Sequence, residues 1–433
     1  MRKMMVALVV LISAMLVSIL VISYLWKSNE HGPIVIQGDA YIDETDGVVS
    51  GSGTESDPYV IEGWEIIQDY YAVAIENTRA HIIVRNLTII GSQNPSYAVS
   101  PSSFCGISIA NCTNLTIEHC TIECCNGVYI GDSSDVTLRR NEIVSSFRIC
   151  SLSGCSEICL RDNLLIGIGP FYPYSSTVEF VACKSISVTD NSLKNATFDL
   201  HELDEGQLRS LSIDSSNSVG GFPFLFRVNE SAIHYDSQAF GQIILLGCTD
   251  IRLSNLSFEY LPRPITILQC SDIAISDVYM ANCGIGIEIN DSIGVALVRS
   301  SGINTSTCMR HSDEIVVAEN DFIGESMLHL DVPESYVNIT VVHNNFLNID
   351  SSMVTVTWVG IGDPVDWVNF SFGYPSGGNY WATYAHMGDY CSGPYQNIQG
   401  ADGIADTPFM IQETIAGLPY AMDPYPLMAP WSP

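Results

Sequence analysis

The chain has 433 residues, of which 17 are Lys or Arg and 48 are Asp or Glu, giving a net charge of −31. Such an acidic surface repels phosphate backbones, so nucleic-acid binding is excluded as a main function. The length would suit about two or three ordinary domains, but repeat proteins grow in one dimension and escape that estimate.

Residues 1–30 contain a long apolar segment. Met4 to Trp26 carries no charged residue and follows Arg2 and Lys3. This segment is long enough to cross a membrane, and the positive flank keeps the amino terminus cytoplasmic. We expect an uncleaved single-pass anchor with the rest of the chain extracytoplasmic; a cleaved signal peptide is the alternative.

Residues 31–66 are predicted to form an amino-terminal cap and the first coils. The Gly, Ser and Pro cluster from Gly51 to Pro58 separates two apolar strands there. Residues 67–357 then repeat one short phrase, for example NCTNLTIEHCTI from Asn111, DSSDVTLRRNEI from Asp132 and GCTDIRLSNLSF from Gly247.

Each copy of the phrase alternates apolar and polar residues, as a short strand does, and the copies recur about every twenty-two residues. A single coil cannot bury its apolar face, whereas stacked coils can. The sequence therefore predicts an all-β, right-handed parallel β-helix of about twelve coils. A leucine-rich repeat is the alternative, but it requires helical return segments, and no sustained helical periodicity is present.

Two columns of equivalent residues follow from this register. The first is an asparagine column, which predicts a hydrogen-bonded ladder at a left-handed turn: Asn141, Asn163, Asn191, Asn320 and Asn344. The second holds small residues that suit packing: Cys112, Cys155, Cys183, Cys248 and Cys270, with Ser133, Ser292 and Ser312. Of the 14 cysteines, Cys105, Cys124 and Cys125 fall outside this column and are the disulfide candidates, as expected for an exported protein. Metal ligation by cysteine is the remaining alternative.

Residues 195–241 interrupt the repeat and predict an irregular insertion. Residues 358–433 are rich in Gly, Pro, Tyr and Trp, which predicts a carboxyl-terminal cap; a platform for stacking sugar rings is the alternative. Ten N-x-Ser/Thr sequons make the chain a glycoprotein candidate, although a repeat rich in Asn, Ser and Thr also produces them by chance.

The chain resembles the exported β-helix family that includes NosD, a periplasmic protein tied to copper-site assembly in nitrous oxide reductase. The resemblance rests on GSGTESDPYVIEGWEI from Gly51, SNSVGGFPFLF from Ser216, and the carboxyl-terminal GGNYW, DGIADTP and DPYPLM. It extends over nearly all of the chain after residue 33 and is nearest to uncharacterised archaeal surface proteins. It implies the carbohydrate-binding and sugar-hydrolase type of β-helix, which is a fold more than an activity.

The resemblance also implies possible metal sites. The DGIADTP segment is similar to a calcium loop in the family, of which Asp402 and Asp406 are retained; two carboxylates would hold Ca²⁺ weakly. A copper site would use histidines such as His311, His329 and His343, although no spacing brings them to one face.

A pair of carboxylates on adjacent coils is what sugar cleavage needs, and Asp162 and Asp190 occupy equivalent repeat positions. Plain charge pairing along the stack is the simpler interpretation of these two residues. Four arginines, Arg139, Arg140, Arg148 and Arg161, cluster in an otherwise acidic chain. If Arg139 and Arg161 face outward on neighbouring coils, they and Arg140 can bind the carboxylates or sulfates of an acidic glycan. Pairing with local acids is the alternative.

The leading hypothesis is therefore a membrane-anchored, extracytoplasmic β-helix that binds glycans or cell-envelope partners without catalysis, and needs no cofactor beyond a structural Ca²⁺. A polysaccharide hydrolase or lyase is the second hypothesis, and a copper maturation factor is the third.

Overall fold

The computed structural model describes residues 29–40, 42–43, 46–68, 70–94, 105–169, 177–332, 338–347, 354–358, 368–384, 386–412 and 421–432. The predicted membrane anchor lies outside these residues. Within the described ranges, no helix is both long enough and apolar enough to span a bilayer.

The chain is built almost entirely from short strands that wind in one sense. Those of the amino-terminal half, which we call the lower stack, are β1 (Ile34–Gln37), β2 (Val48–Ser50), β3 (Tyr59–Glu62), β4 (Glu65–Ile67), β5 (Val73–Glu76), β6 (Ile82–Arg85), β7 (Thr88–Ile90), β8 (Cys105–Ala110), β9 (Thr113–Glu118), β10 (Thr121–Gly131), β11 (Ser134–Arg139), β12 (Glu142–Ser153), β13 (Ser156–Arg161), β14 (Leu164–Gly167), β15 (Thr177–Val181), β16 (Lys184–Thr189), β17 (Ser192–Lys194), β18 (Thr197–Glu202), β19 (Ser212–Ile213) and β20 (Ser218–Val219). One short helix, α1 (Glu205–Arg209), interrupts them and is capped reciprocally by Asp204 and Gln207.

The strands of the carboxyl-terminal half form the upper stack. They are β21 (Phe222–Val228), β22 (Ser231–Asp236), β23 (Gln242–Leu246), β24 (Thr249–Ser254), β25 (Ser257–Glu259), β26 (Ile265–Leu268), β27 (Ser271–Ser276), β28 (Tyr279–Ala281), β29 (Ile285–Asn290), β30 (Ile293–Val298), β31 (Ser301–Ile303), β32 (Ser306–Arg310), β33 (Asp313–Ala318), β34 (Asp321–Ile323), β35 (Leu328–Val332), β36 (Ile339–Val342), β37 (Asn345–Leu347), β38 (Val354–Trp358), β39 (Val368–Asn369) and β40 (Tyr380–Trp381). Beyond a 3₁₀ turn at Ala382–Tyr384, the hairpins β41 (Cys391–Ser392) with β42 (Ile398–Gln399) and β43 (Phe409–Gln412) with β44 (Ala421–Asp423) complete the chain.

Each coil contributes a strand to three faces, and the strands of one face pair in parallel with those of the coils above and below. The first face is an eight-stranded sheet from β2 to β19 in the lower stack and a seven-stranded sheet from β22 to β39 in the upper stack. The second face includes the six-stranded sheet from β25 to β40, and the third face runs through β15 and β29. The solenoid makes about twelve turns, as the repeat predicts.

Apolar side chains of successive coils form columns inside the solenoid. On the first face, Ile117, Leu138, Leu160 and Val188 are direct register partners, and each is at most 1% exposed. Because burying one such side chain contributes about 1.5–3 kcal/mol, a column of this length is a main source of stability. The alternating pattern of the repeat therefore identifies the core correctly.

The asparagine column forms the predicted ladder at the corner after the first face. The side-chain amide of Asn141 donates to Oδ1 of Asn163 at 3.1 Å, and that of Asn163 donates to Oδ1 of Asn191 at 2.9 Å. Asn217 and Asn379 extend the ladder in the two stacks. The prediction was wrong in one respect. The left-handed residue is the one before the asparagine, as at Arg140 (φ 55°) and Asp162 (φ 56°), because the asparagine itself must direct its amide along the stack.

The cysteine and serine column lies at the corner before the first face and does more than fill space. The backbone N–H of Cys112 donates to Oγ of Ser133 at 3.0 Å, and that of Cys248 donates to Sγ of Cys270 at 3.3 Å. A small side chain with an acceptor atom is therefore needed at this position, which explains why serine alternates with cysteine.

The stacking is interrupted between the two halves, within the predicted insertion. On the first face β19 and β22 belong to different sheets, and on the second face β25 pairs with β28 alone among the described strands. The turn between β20 and β21 folds back as an antiparallel pair. We call this interruption the stack break.

Aromatic rings and one carboxylate close the carboxyl-terminal end of the core. Phe346 stacks on Trp381 with ring centroids 4.3 Å apart, and Trp381 stacks on Phe409 at 4.3 Å. Asp423 is fully buried and accepts hydrogen bonds from the backbone N–H of Asn379 at 2.7 Å and from the indole N–H of Trp381 at 2.9 Å. The last turn is thus fastened to the end of the asparagine ladder.

Candidate functional site

The outward side of the first face in the lower stack carries a column of charges with alternating sign. Glu62, Arg85, Glu118, Arg139 and Arg161 are successive register partners from β3 to β13. Arg85 Nη2 lies 2.6 Å from Glu62 Oε2, and this hydrogen bond lowers the pKa of Glu62 and raises that of Arg85. Arg139 Nε donates to Glu118 Oε2 at 2.6 Å. We call this column the charge ladder.

The alternation fails at Arg161, which follows another arginine. The next coil offers Thr189 at this position instead of a carboxylate. The nearest carboxylate oxygen to Arg161 Nε, Asp162 Oδ2, is 3.9 Å away, and this Nε has no hydrogen-bond partner among the described residues. Arg140 is similar, because its Nε stands 3.7 Å from the same oxygen. At this end of the charge ladder, Arg140 and Arg161 therefore share one carboxylate, that of Asp162, which lies beyond hydrogen-bonding distance of both Nε atoms.

The three predicted ligand-binding arginines are brought together, and the fourth arginine of the sequence cluster is not. The side chains of Arg139, Arg140 and Arg161 are 36%, 58% and 43% exposed. Arg148 lies on the third face, where its Nε bonds to Glu179 at 3.0 Å in a mostly buried pair. Three outward guanidinium groups on two adjacent coils can bind the oxygens of a carboxylate or sulfate ester.

The predicted catalytic pair, Asp162 and Asp190, occupies equivalent corners of neighbouring coils. Both residues are exposed and adopt left-handed backbone conformations with φ of 56°. Asp162 faces Arg140 and Arg161, while the backbone N–H of Asp190 donates to Oγ of Ser216 at 2.7 Å. An exposed corner leaves both carboxyl groups in contact with solvent, whereas a catalytic site excludes most of the water. The catalytic role stays a prediction without structural support.

The carboxylates of the predicted calcium loop are engaged by backbone donors. Asp406 accepts from the N–H groups of Tyr390 at 3.0 Å and Cys391 at 2.9 Å. Asp402 accepts from the N–H groups of Gly393 at 3.3 Å and Ile404 at 3.1 Å, and Asp389 holds the N–H of Gly403 at 2.8 Å. These donors hold the loop in a defined conformation, and a Ca²⁺ ion bound by Asp402 and Asp406 stays a prediction.

Cysteine and histidine residues give no metal centre in the described part of the chain, where no group of three or more potential ligands is present. Cys105, Cys124 and Cys125 are buried, and no disulfide bond is present among the 14 cysteines, so the structure contains none of the predicted disulfides. Burial raises the pKa of Cys105 and Cys124 to about 12. His343 stacks on Trp431 with centroids 3.7 Å apart and is therefore part of the cap rather than grouped with His311 and His329.

A groove of about 450 Å³ opens at the stack break, and no pattern in the sequence predicts it. Its walls come from the β20–β21 turn, the loop after β22, and β25. The residues lining it are Val219, Gly220, Phe222, Ser237, Gln238, Ala239, Phe240, Asn255, Ser257, Phe258, Glu259 and Leu261. Such a volume is within the range of ligand sites.

A buried network of charges joins the two stacks on the third face and was also missed. Arg263, 1% exposed, lies with Nη1 2.6 Å from Glu288 Oε2 and 3.4 Å from Asp199 Oδ1. Arg310 binds the other oxygen of Glu288. Asp199 and Glu288 are far apart in sequence. They meet at Arg263 only because of the register in which the coils stack, and this register is displaced at the stack break.

A match to one family model supports the architecture. Residues 46–206 match the family model described as a right-handed beta helix region, which agrees with the predicted handedness. No curated protein sequence matches the chain. Among solved structures, the chain is similar to the GH136 lacto-N-biosidase from Eubacterium ramulus, with 11% identity, a TM-score of 0.22, and coverage of 78% of this chain and 68% of that one. It is also similar to PfbA, a surface adhesin of Streptococcus pneumoniae, with 11% identity, a TM-score of 0.23, and coverage of 84% and 88%. These likenesses are too distant to transfer an activity.

Proposed function

We propose that this chain is a membrane-anchored, extracytoplasmic β-helix that binds acidic glycans without turning them over, and that the end of the charge ladder is the binding site. The observation that carries the proposal is the position of Arg161. It stands beside Arg139 on the next coil, its side chain is 43% exposed, and its nearest carboxylate oxygen is 3.9 Å away. The apolar segment at the amino terminus supports the extracytoplasmic location.

The electrostatics favour a localised site. The chain carries a net charge of −31, so an anionic polymer is repelled by most of the surface and attracted where Arg139, Arg140 and Arg161 stand together. A guanidinium group offers parallel N–H donors that match the two oxygens of a carboxylate or sulfate. Because the arginines are exposed, we expect the affinity to fall as salt screens the interaction.

The polysaccharide hydrolase is the weaker alternative. Hydrolysis needs two carboxyl groups on either side of the scissile bond, one of which must hold a proton at working pH. Asp162 and Asp190 lie on an exposed corner, and Asp162 forms ion pairs with two arginines. This arrangement suits ion pairing of Asp162 with Arg140 and Arg161 better than acid catalysis.

A glycan array probed with the full chain tests the proposal. We expect signals on uronate-containing and sulfated glycans that fall at least tenfold in Arg161→Ala and partly in Arg161→Lys, which keeps the charge but loses the planar fork. Arg252→Ala is the matched control, because Arg252 occupies the outward side of the first face in the upper stack and is 64% exposed beside Asp250. Arg252→Ala should bind like the wild type.

Two results would overturn the proposal. One is the absence of binding to every acidic glycan at low salt. The other is equal loss of binding in Arg161→Ala and Arg252→Ala, which would point to a general charge effect instead of a site. Release of reducing ends from a bound glycan, abolished by Asp162→Asn, would establish the hydrolase alternative.

A further inference from the structure

One strand at the stack break has a free edge. β25 is the terminal strand of the six-stranded sheet on the second face and pairs with β28 above it. Val219 of β20 and Phe258 of β25 occupy the same position two coils apart, and the coil between them places Phe240 there, in the loop after β22, which forms no strand on this face. Each later pair in this column, such as Phe258 with Met280, is bonded. The second face therefore lacks one rung at the stack break.

The backbone groups at this edge point into the groove. Tyr279 N–H donates to Leu256 C=O at 2.9 Å, and Tyr260 N–H donates to Ala281 C=O at 3.1 Å, so these residues bond toward β28. Backbone groups of a parallel strand point alternately to its two neighbours. The N–H and C=O groups of Ser257 and Glu259 are thus directed away from β28, and both residues are exposed and line the groove.

The groove is apolar on one side and acidic on the other. Phe222, Phe240 and Leu261 supply the apolar surface, and Phe222 is 49% exposed. The lining residues include no lysine, arginine or histidine, and Glu259 is their one charged member. Asp236 adds a second carboxylate at the rim, where its Oδ1 accepts from Asn255 Nδ2 at 2.7 Å.

We propose that the groove binds an extended peptide segment of a partner protein, with alternating basic and apolar side chains, as an added strand on the free edge of β25. The backbone of the peptide bonds to Ser257 and Glu259, its apolar side chains pack on Phe222 and Phe240, and its basic side chains face Glu259 and Asp236. This mode of recognition takes affinity from backbone hydrogen bonds and specificity from alternate side chains. An exposed strand edge without a partner can otherwise pair non-specifically with strands of other chains.

The dimensions agree with a short segment. An extended chain advances about 3.3 Å per residue, so the three residues of β25 match a core of about three peptide residues. The groove of about 450 Å³ has room for such a core. An acidic peptide is disfavoured, since no lining residue carries a positive charge.

The test uses the full chain and a fluorescein-labelled hexapeptide panel in which lysine alternates with Val, Ile, Leu or Phe. Fluorescence anisotropy should show saturable binding of at least one member. Two N-methylated twins of that peptide, methylated at the odd or at the even amides, give the sharper readout. One twin should bind at least tenfold more weakly and the other about equally, because a single edge of the peptide faces β25.

Substitutions in the chain complete the test. Glu259→Lys should weaken binding at least tenfold, and Ser257→Pro, which removes an N–H directed into the groove, should do so where the variant folds. Glu325→Lys, at an exposed site outside the lining, should have no effect. Arg161→Ala should also leave peptide binding unchanged, which separates this inference from the glycan site.

The inference is overturned if no panel member binds, if both methylated twins bind like the parent, or if Glu259→Lys and Glu325→Lys bind alike. A glycan-array signal that Glu259→Lys abolishes, without peptide binding, would reassign the groove to sugars.

Discussion

The side chain of Gln242 pairs with the backbone of Phe198 as a neighbouring strand would. Its Oε1 accepts the Phe198 N–H at 3.0 Å, and its Nε2 donates to the Phe198 C=O at 2.8 Å and to the C=O of Arg263 at 3.0 Å. This amide lies at the stack break and is fully buried. One side chain thus replaces the missing strand contact above β18.

Replacing Gln242 should therefore destabilise the fold more than replacing an exposed glutamine nearby. Gln242→Ala leaves the N–H and C=O of Phe198 buried without partners, at a cost of about 2–4 kcal/mol in the free energy of unfolding. Gln238→Ala, in the groove wall and exposed, should change it by less than about 0.5 kcal/mol. Urea unfolding followed by circular dichroism measures both, and equal midpoints would contradict the bridging role.

The buried charge network at Arg263 should depend on Glu288, which serves two arginines. Glu288→Gln removes the charge that compensates Arg263 and Arg310, and breaking one partner of a buried pair costs about 3–5 kcal/mol. Glu325→Gln, an exposed carboxylate, is the control and should be nearly neutral. If thermal unfolding shows the two variants to be equally stable, the network does not hold the stacks together.

Asp423 should make the free energy of unfolding fall as the pH rises, which is opposite to the usual effect of a carboxyl group. Burial raises its pKa from 3.8 to about 6, against the opposing effect of its hydrogen-bond donors. Between about pH 4 and 6 the folded state keeps a proton that the unfolded state releases, so stability falls as pH rises through this window. The effect of one such group is about 3 kcal/mol.

Asp423→Asn has no titrating group at this position. Its free energy of unfolding should therefore rise relative to that of the wild type as the pH increases from 4 to 7, even if the variant is less stable at the lower pH. Parallel stability curves for the two proteins, measured by urea titration at each pH, would show that Asp423 does not titrate in this way.

The cysteines should behave as buried thiols. Cys159 and Cys391 are partly exposed, whereas the other twelve are buried. Brief treatment of the native chain with iodoacetamide should alkylate these two, because burial keeps the reagent away from the other twelve. After unfolding without a reductant, all 14 should react. A smaller number, read by mass spectrometry, would reveal disulfides, and Cys105, Cys124 and Cys125 are where we would look first.

Features that repeat with the coil were predictable from the sequence. The core column through Leu138 and Leu160, the asparagine ladder through Asn163 and the adjacency of Arg139 and Arg161 each follow from aligning the copies, because residues at equal positions stack. The left-handed position was misplaced by one residue, since an asparagine is a residue type that commonly adopts this conformation, whereas Arg140 is not.

Features at the stack break were not predictable, because the alignment of copies fails there. Arg263 contacts Asp199 and Glu288, and nothing in the local sequence around any of them indicates a partner. The groove likewise depends on how β20, β25 and the loop after β22 are offset. Such an offset is set by packing of Gln242 and the buried charges, which no periodic pattern encodes.

The asparagine ladder has a direction, and its last member has a consequence for assembly. In the upper stack the N–H of Asn320 donates to Asn344, that of Asn344 donates to Asn379, and that of Asn379 donates to Asp423. Among the described residues, Asp423 is the last acceptor in this series. A solenoid with an open end is a template on which a second copy can stack into a filament. Asp423 already occupies the position at this corner where the asparagine of a further coil would bind. Together with the bulk of the cap, this one buried acid therefore prevents a second copy from stacking on the end of the solenoid.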